Sequence, residues 1–384
     1  MKAPPVRWIW LIGILALTGG CSWFGESRPA KLAAPVPVFT AQTTLRVLWQ
    51  ADLGSSAPDT VLTPAASGNA VFAASKDALM RLENGRELWR IAVPQGIVGG
   101  VGASDHVVVV GTGTGEVIAF DPAGGQRMWS AQTRALLLAA PVVSQGVVLV
   151  RAGDDTLNGY DAKTGRKLWA FHADSPALTL RIHAEVLPLP GSFLVGLPNG
   201  KLLAVNTATG GQLWEGTVAL PKGSTELERM VDVASRPAAA SGKGCAVAWQ
   251  GRIACFDFQA GSTLWSKSLS SRAGLDMSAN HVFVTDEYDA INAYRVEDGS
   301  SLWRNDKLSY RGLTAPRILG DYLVVGDALG VVHLIKRSDG SFAANIALAN
   351  APVAATPVLT PTGNILVQTR SGSLYALTVG ASGP

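Results

Sequence analysis

Charge is scarce in this sequence. Asp, Glu, Lys and Arg make up 16% of its 384 residues, and the formal net charge is +3. Two of the cations, Lys2 and Arg7, lie in a segment expected to be removed. That leaves a balance of about +1, which implies no nucleic-acid-binding face. Histidine is scarce too: His106, His172, His183, His281 and His333 are scattered, with no close pair to hold a metal. There are three cysteines, none adjacent to another. After residue 22 no stretch carries a helical apolar period. The shortage of charge does not mean disorder, because 47% of the chain is apolar and 42 residues are glycine, the mark of a globular, turn-rich protein.

The apolar run at the start, "WIWLIGILAL" (8–17), has ten residues, too few to span a bilayer. Behind the basic Lys2 and Arg7 it reads as an export signal covering residues 1–20. "LTGGC" ends at Cys21, and small residues before a cysteine resemble the lipidation signal of bacterial lipoproteins. Several acyl chains on Cys21, at about 0.8 kcal/mol per buried CH₂, give a stable anchor. Ser22 follows, and in such lipoproteins the absence of Asp there implies the outer membrane. Residues 22–42, with Pro29, Pro35 and Pro37, read as a flexible tether. Cys245 and Cys255 flank a hairpin turning near Gln250. Export to an oxidising compartment permits a disulfide between them, and two buried thiols are the other reading.

Tryptophan recurs. Trp49, Trp89, Trp129, Trp169, Trp214, Trp265 and Trp303 are separated by 40, 40, 40, 45, 51 and 38 residues. Six of them follow a glycine four places earlier: Gly85, Gly125, Gly165, Gly210, Gly261 and Gly299. An eighth copy keeps Gly340 but has Ala344 in place of tryptophan. Within each unit lie four short strand-like runs, as in "APVVSQ" (140–145), "VVLVRA" (147–152), "TLNGYDA" (156–162) and "RKLWAF" (166–171). Four short strands repeated at this period predict an all-β, eight-bladed propeller of antiparallel blades over residues 43–380, followed by a tail at 381–384. The Trp49 run lacks three partners before it. The C-terminal runs at 354–360, 364–369 and 372–378 lack a tryptophan strand after them, so the two ends are expected to complete one blade and close the ring. Each tryptophan is expected to lie between blades. Burial of roughly 150–250 Å² at ~25 cal/mol/Å² contributes about 4–6 kcal/mol gross.

"AFDPAGGQRMW" (119–129) and, loosely, "AVNTATGGQLW" (204–214) resemble the tryptophan-docking repeat of quinoprotein dehydrogenases. That resemblance implies a pyrroloquinoline quinone over calcium. The adjacent cysteines typical of those enzymes are absent, and the carboxylate clusters at 154–155 and 286–289 fall in turns, where Asp is common anyway. "GTGTGE" (111–116) joins two strands, so it is not a phosphate loop. A short eight-bladed repeat behind a lipidation signal resembles the BamB family, lipoproteins of the β-barrel assembly machinery. The resemblance implies a non-catalytic scaffold without cofactor, on the periplasmic face of the outer membrane. It also implies docking on BamA with the other subunits, and contact with unfolded outer-membrane proteins by strand pairing. A third reading, a polysaccharide-binding lipoprotein, requires exposed aromatics, and only Trp249 is a spare tryptophan within the propeller.

The two longest gaps place extra residues at roughly 172–184 and 216–234, on connections that leave one face of a propeller. "ALTLRIH" (177–183) and "STELERMVDVASRP" (224–237) fill them. The family is similar here, with an L-x-L-R stretch and an Arg followed by D-x-D, both implicated in BamA contact. Leu178, Leu180 and Arg181 match the first, and Arg229 and Asp232 the second, with Ala234 where its second Asp stands. Leu178 and Leu180 alternate onto one side, so they either meet a partner together or are buried together. Asp232 serves either that partner, a local cap or an intramolecular pair with Arg181 or Arg229.

Overall fold

The computed structural model describes residues 31–55, 60–137, 139–174, 176, 178–180, 185–348, 351–353 and 355–380. The chain divides into a short unit, Met1–Leu32, and a compact unit, Ala33–Pro384. The compact unit contains eight four-stranded antiparallel sheets. Seven blades, I to VII, run in chain order: 65–92, 97–132, 142–172, 187–217, 238–268, 274–305 and 317–347. Blade VIII takes three strands from residues 358–380 and its outer strand from Thr44–Asp52. Thr44 pairs with Gly380 and Asp52 with Ser373, so the ring is closed by both ends of the chain.

Burial explains which residues each strand uses. The second strand of blade III, Val147–Arg151, is buried throughout because both its faces meet neighbouring blades. The outer strand, Lys167–His172, has mostly exposed or half-buried residues and a buried Trp169. In every blade the outer strand carries a bulge at the residue before the tryptophan position. In blade III, Gly159 pairs with Trp169 and Tyr160 with Lys167, which skips Leu168. The same slip skips Leu48, Leu88, Met128, Leu213, Leu264, Leu302 and, in the degenerate copy, Ala343. An extra residue re-aims the side chains beside it. Most of the skipped residues point to solvent, whereas the indoles turn inward.

Each indole reaches the turn of the next blade. Trp129 Nε1 donates to the Ala162 carbonyl at 2.9 Å, Trp169 to Thr207 at 3.0 Å, Trp265 to Val296 at 2.8 Å and Trp303 to Arg337 at 2.9 Å. Trp89 does the same to Pro122 at 3.2 Å. A Cβ on Gly210, whose φ is +68°, would lie 2.4 Å from the Trp169 ring. On the ring's other side, a Cβ on Gly159 would come within 2.2 Å. At Gly210 glycine is therefore needed both for its positive φ and for the closeness of the indole.

Beside the degenerate copy, the segment ahead of the first propeller strand packs on blade VII, while Ala343 and Ala344 share a buried cluster with Leu45. Ala34 donates its N–H to the Ser309 carbonyl at 2.9 Å, and Arg311 Nη1 donates to the Ala34 carbonyl at 2.7 Å. The Phe39 ring stacks on Phe342 with centroids 5.4 Å apart, and Gln42 donates to the Ala343 carbonyl at 2.9 Å. Residues 34–43 thus form a strap seated on blade VII. Arg311 is held in turn by Asp327, with Nε–Oδ2 at 2.7 Å, and His333 Nε2 lies 3.0 Å from the same oxygen. All three side chains are buried. Burial alone would push the Asp327 carboxyl up. The bonds from His333, the Val331 N–H and Arg311 outweigh it and hold the group below the ordinary carboxylate range.

Candidate functional site

In an up-and-down blade, the turn between the second and third strands lies at the same end as the connection from the outer strand to the next blade. One face of the ring therefore gathers all of these loops. Its two longest connections are 173–186, between blades III and IV, and 218–237, between blades IV and V. They are neighbours, as the tryptophan gaps predict.

Among the described residues, one hydrogen bond joins them. The Leu180 N–H donates to Asp232 Oδ2 at 2.5 Å. Asp232 is buried, and its backbone carbonyl accepts the Trp249 N–H at 2.8 Å in an isolated antiparallel bridge. The other carboxylate oxygen, Oδ1, has no hydrogen-bond partner among the described residues. Burial raises the Asp232 carboxyl pKa, opposed by the Leu180 N–H; nearby Asp155 adds to the rise and Arg151 opposes it. Arg151 and Asp155 form a buried pair at 2.6 Å beneath this point, and Arg151 Nη1 also donates to the Gly196 carbonyl at 2.7 Å. Asp232 thus stands behind the rim and fixes the course of the first loop.

The two leucines of that loop part company. Leu178 is 42% exposed, while Leu180 is half-buried. Arg181 lies outside the described residues, as do Cys21, the 1–20 segment, the tether up to residue 30 and the 381–384 tail. Arg229 is exposed and lies 4.0 Å from Glu226, away from Asp232's inward carboxylate. It follows a single turn in which Glu228 Oε2 accepts the Ser224 and Thr225 N–H groups, while Thr225 Oγ1 accepts the Glu228 N–H. These bonds, the Ser224 N–H first, hold the Glu228 carboxyl low. Leu220 and Leu227 are exposed on the same loop, at 66% and 61%. The Gln250 side-chain nitrogen donates to the Met230 and Leu227 carbonyls at 3.2 Å and ties the loop to blade V.

Two further side chains belong to this rim, and no motif or periodicity marks them. Trp249 is half-buried, and the Arg272 guanidinium lies over its ring at 5.2 Å from the centroid. The pair comes from a hairpin turn and from a blade connection, so only the fold brings it together. Nearby, Cys245 and Cys255 are directly opposed in blade V and joined as a disulfide, with Cα atoms 4.1 Å apart.

The ring axis holds two cavities of about 470 and 380 Å³, which share Thr63, Glu185, Arg236 and Arg317 as a common waist. Among the described lining residues there is no aromatic ring to stack on a quinone or a sugar. Among the described residues there is also no group of three or more His, Cys, Asp or Glu placed to hold a metal. The acidic turns predicted from sequence are occupied locally: Asp155 pairs with Arg151, and Asp289 accepts the Gly312 and Leu313 N–H groups at 2.7 and 2.9 Å. The residues present do not fit a quinone over calcium.

A family model described as outer membrane protein assembly factor BamB matches residues 77–305. Outer membrane protein assembly factor BamB of Bordetella pertussis is 37% identical, with 95% of this chain and 94% of that protein covered. The crystal structure of BamB from Moraxella catarrhalis superposes with a TM-score of 0.79 at 28% identity, covering 87% of this chain and 99% of that one. Quinohemoprotein alcohol dehydrogenase from Comamonas testosteroni reaches 0.69 at 13% identity, covering 88% and 77%, which is a likeness of fold alone.

Proposed function

The chain belongs to the BamB family of outer membrane protein assembly factors, and from that premise we propose that it is a non-catalytic subunit of the outer membrane's β-barrel assembly complex. It docks on BamA through the rim built by the 173–186 and 218–237 connections. Residues 1–20 direct export, and 21–42 carry the lipid on Cys21 and a tether whose last part, from residue 34, is the strap on blade VII; 43–380 form the docking body, and 381–384 follow it in the chain. The lipid holds the protein on the periplasmic face of the outer membrane. Its similarity to outer membrane protein assembly factors supports the assembly role, and the lipidation signal supports the anchor.

The observation that carries the docking surface is the pairing of exposed Leu178 with a loop course pinned by the Leu180–Asp232 bond. Leu178, Leu220 and Leu227 supply apolar area for a partner, and Arg229 supplies a fork of donors for a carboxylate at its edge. Leu180 and Asp232 position the loop, and Arg181 follows Leu180 in the chain. Hydrogen bonds hold described parts of both loops, Leu180 on Asp232 and the Leu227 and Met230 carbonyls on Gln250, which lowers the ordering cost of docking.

The test is co-purification from membranes. Wild-type protein is expected to bring down BamA, and Leu178→Glu to lose about tenfold or more of it. Leu302→Glu, at an exposed outer-strand leucine on blade VI, is expected to behave as wild type. Unchanged recovery with folded Leu178→Glu overturns the rim assignment, and absence of BamA from the wild-type eluate overturns the role.

A further inference from the structure

The waist of the ring axis carries a feature that docking does not use. Thr63 Oγ1 donates to Glu185 Oε1 at 2.9 Å, a bond between the segments leading into blades I and IV. Beside it stand Arg236, leading into blade V, and Arg317, in the innermost strand of blade VII. Arg317 is accounted for, with Asp276 at 3.7 Å and the Pro357 carbonyl at 3.3 Å from Nε. Arg236 has no hydrogen-bond or ion-pair partner among the described residues. Its guanidinium is pushed down first by burial and then by the charge of Arg317; Glu185 and Asp276 offset this only in part. Above the waist, the larger cavity is also lined by Arg272 and Arg370. Its described lining therefore holds four guanidinium groups and one carboxylate.

A guanidinium that faces a cavity without a protein acceptor is left to water or to an anion, and an anion there gains charge-assisted bonds. We propose that the upper axial cavity is a binding site for a compact polyoxyanion, of the citrate or pyrophosphate class, held by Arg236 at the waist with Arg272 and Arg317 beside it. The chemistry follows from the walls. The remaining lining is aliphatic or hydroxylic, such as Leu275, Leu313, Thr314 and Ala315, so it offers no aromatic stacking surface. A fork of guanidinium donors suits paired oxygens, and a cavity of about 470 Å³ admits a small di- or trianion. The site opens on the rim face, so its occupancy would change the charge presented beside Trp249 and Arg272.

The test is isothermal titration of the full mature protein with sodium citrate and, separately, with sodium pyrophosphate, at low and at physiological salt. One site is expected, weakening with salt, and about tenfold or more weaker in Arg236→Gln. Without ligand, Arg236→Gln is expected to melt at or above the wild-type temperature, because the side chain it removes has no partner to lose. Arg229→Gln, on the rim, is expected to bind as wild type does. A measurement free of variants is hydrogen exchange on the wild type, where citrate should slow residues 234–236 and 314–317 but not 224–229. Absence of binding by both anions at low salt, equal affinity in Arg236→Gln, or protection confined to the rim would each overturn the site.

Discussion

Replacing Trp169 with alanine tests the reason this ring stays shut. The indole is 8% exposed, and it lies between Gly159 of its own blade and Gly210 of the next. Deleting it removes about 200 Å² of buried surface, worth about 5 kcal/mol at ~25 cal/mol/Å². The glycines on either side have no side chain that could move into the gap, so the void persists and the cost stays at the upper end of the usual ~3–5 kcal/mol. The Thr207 carbonyl also loses its donor, for about 1 kcal/mol or more. An overall loss of about 4–6 kcal/mol is expected. Trp214 supplies the contrast: it is half-buried, its Nε1 is 3.5 Å from the Gly261 carbonyl, and a Cβ on Gly261 would meet nothing within 4 Å. Trp214→Ala should cost about half as much. Urea denaturation followed by far-UV circular dichroism reads both, with the slope checked because a ring of eight sheets can unfold in stages. A loss below about 1.5 kcal/mol for Trp169→Ala, or equal losses for the two variants, would show that the indole does not hold the blades together.

Asp327→Ala should cost about 3–5 kcal/mol, because it leaves Arg311 and His333 buried without their shared acceptor. It should also loosen the strap, so hydrogen exchange at residues 34–43 must quicken; unchanged protection there refutes the clamp. At Asp232 the carboxyl pKa is raised in the folded state, so its protonated form is favoured by folding. The stability it contributes is complete below the ordinary carboxylate range and is lost as pH rises through the raised value. Asp232→Asn, which can still accept from Leu180, should equal or exceed wild-type stability near pH 7, and that advantage should shrink on acidification. A gap in urea midpoints that widens toward pH 4 contradicts this.

The ring was legible because a bulky aromatic and a glycine recur at near-constant distance, and because each end of the chain lacked what the other supplied. Spacing could not say that the indole meets the glycine of the following blade. Each pair is separated in the chain by about one repeat, so a within-unit and a between-unit contact leave the same pattern. The bulge escaped for a related reason: Leu before Trp in "KLW" reads as ordinary alternation until the register is seen to slip. Leu178 and Leu180 show the limit of alternation in a loop. A carboxylate fifty-two residues away accepts the Leu180 N–H, and Leu180 is half-buried while Leu178 is exposed. Arg236 and Arg317 were invisible as a pair, since nothing in a linear reading joins two arginines on blades V and VII across a shared axis.

The slipped residue in every outer strand has a further effect. A closed wheel of eight sheets still has eight bare peripheral borders, each a template on which a foreign extended segment could grow. Here every border is interrupted by the inserted residue, and cations such as Arg90, Lys167, Lys267 and Arg304 stand along several of them. A kinked and charged border disfavours the pairing of a foreign strand, so the same inserted residue that turns the indole inward also guards the outer edge of its blade.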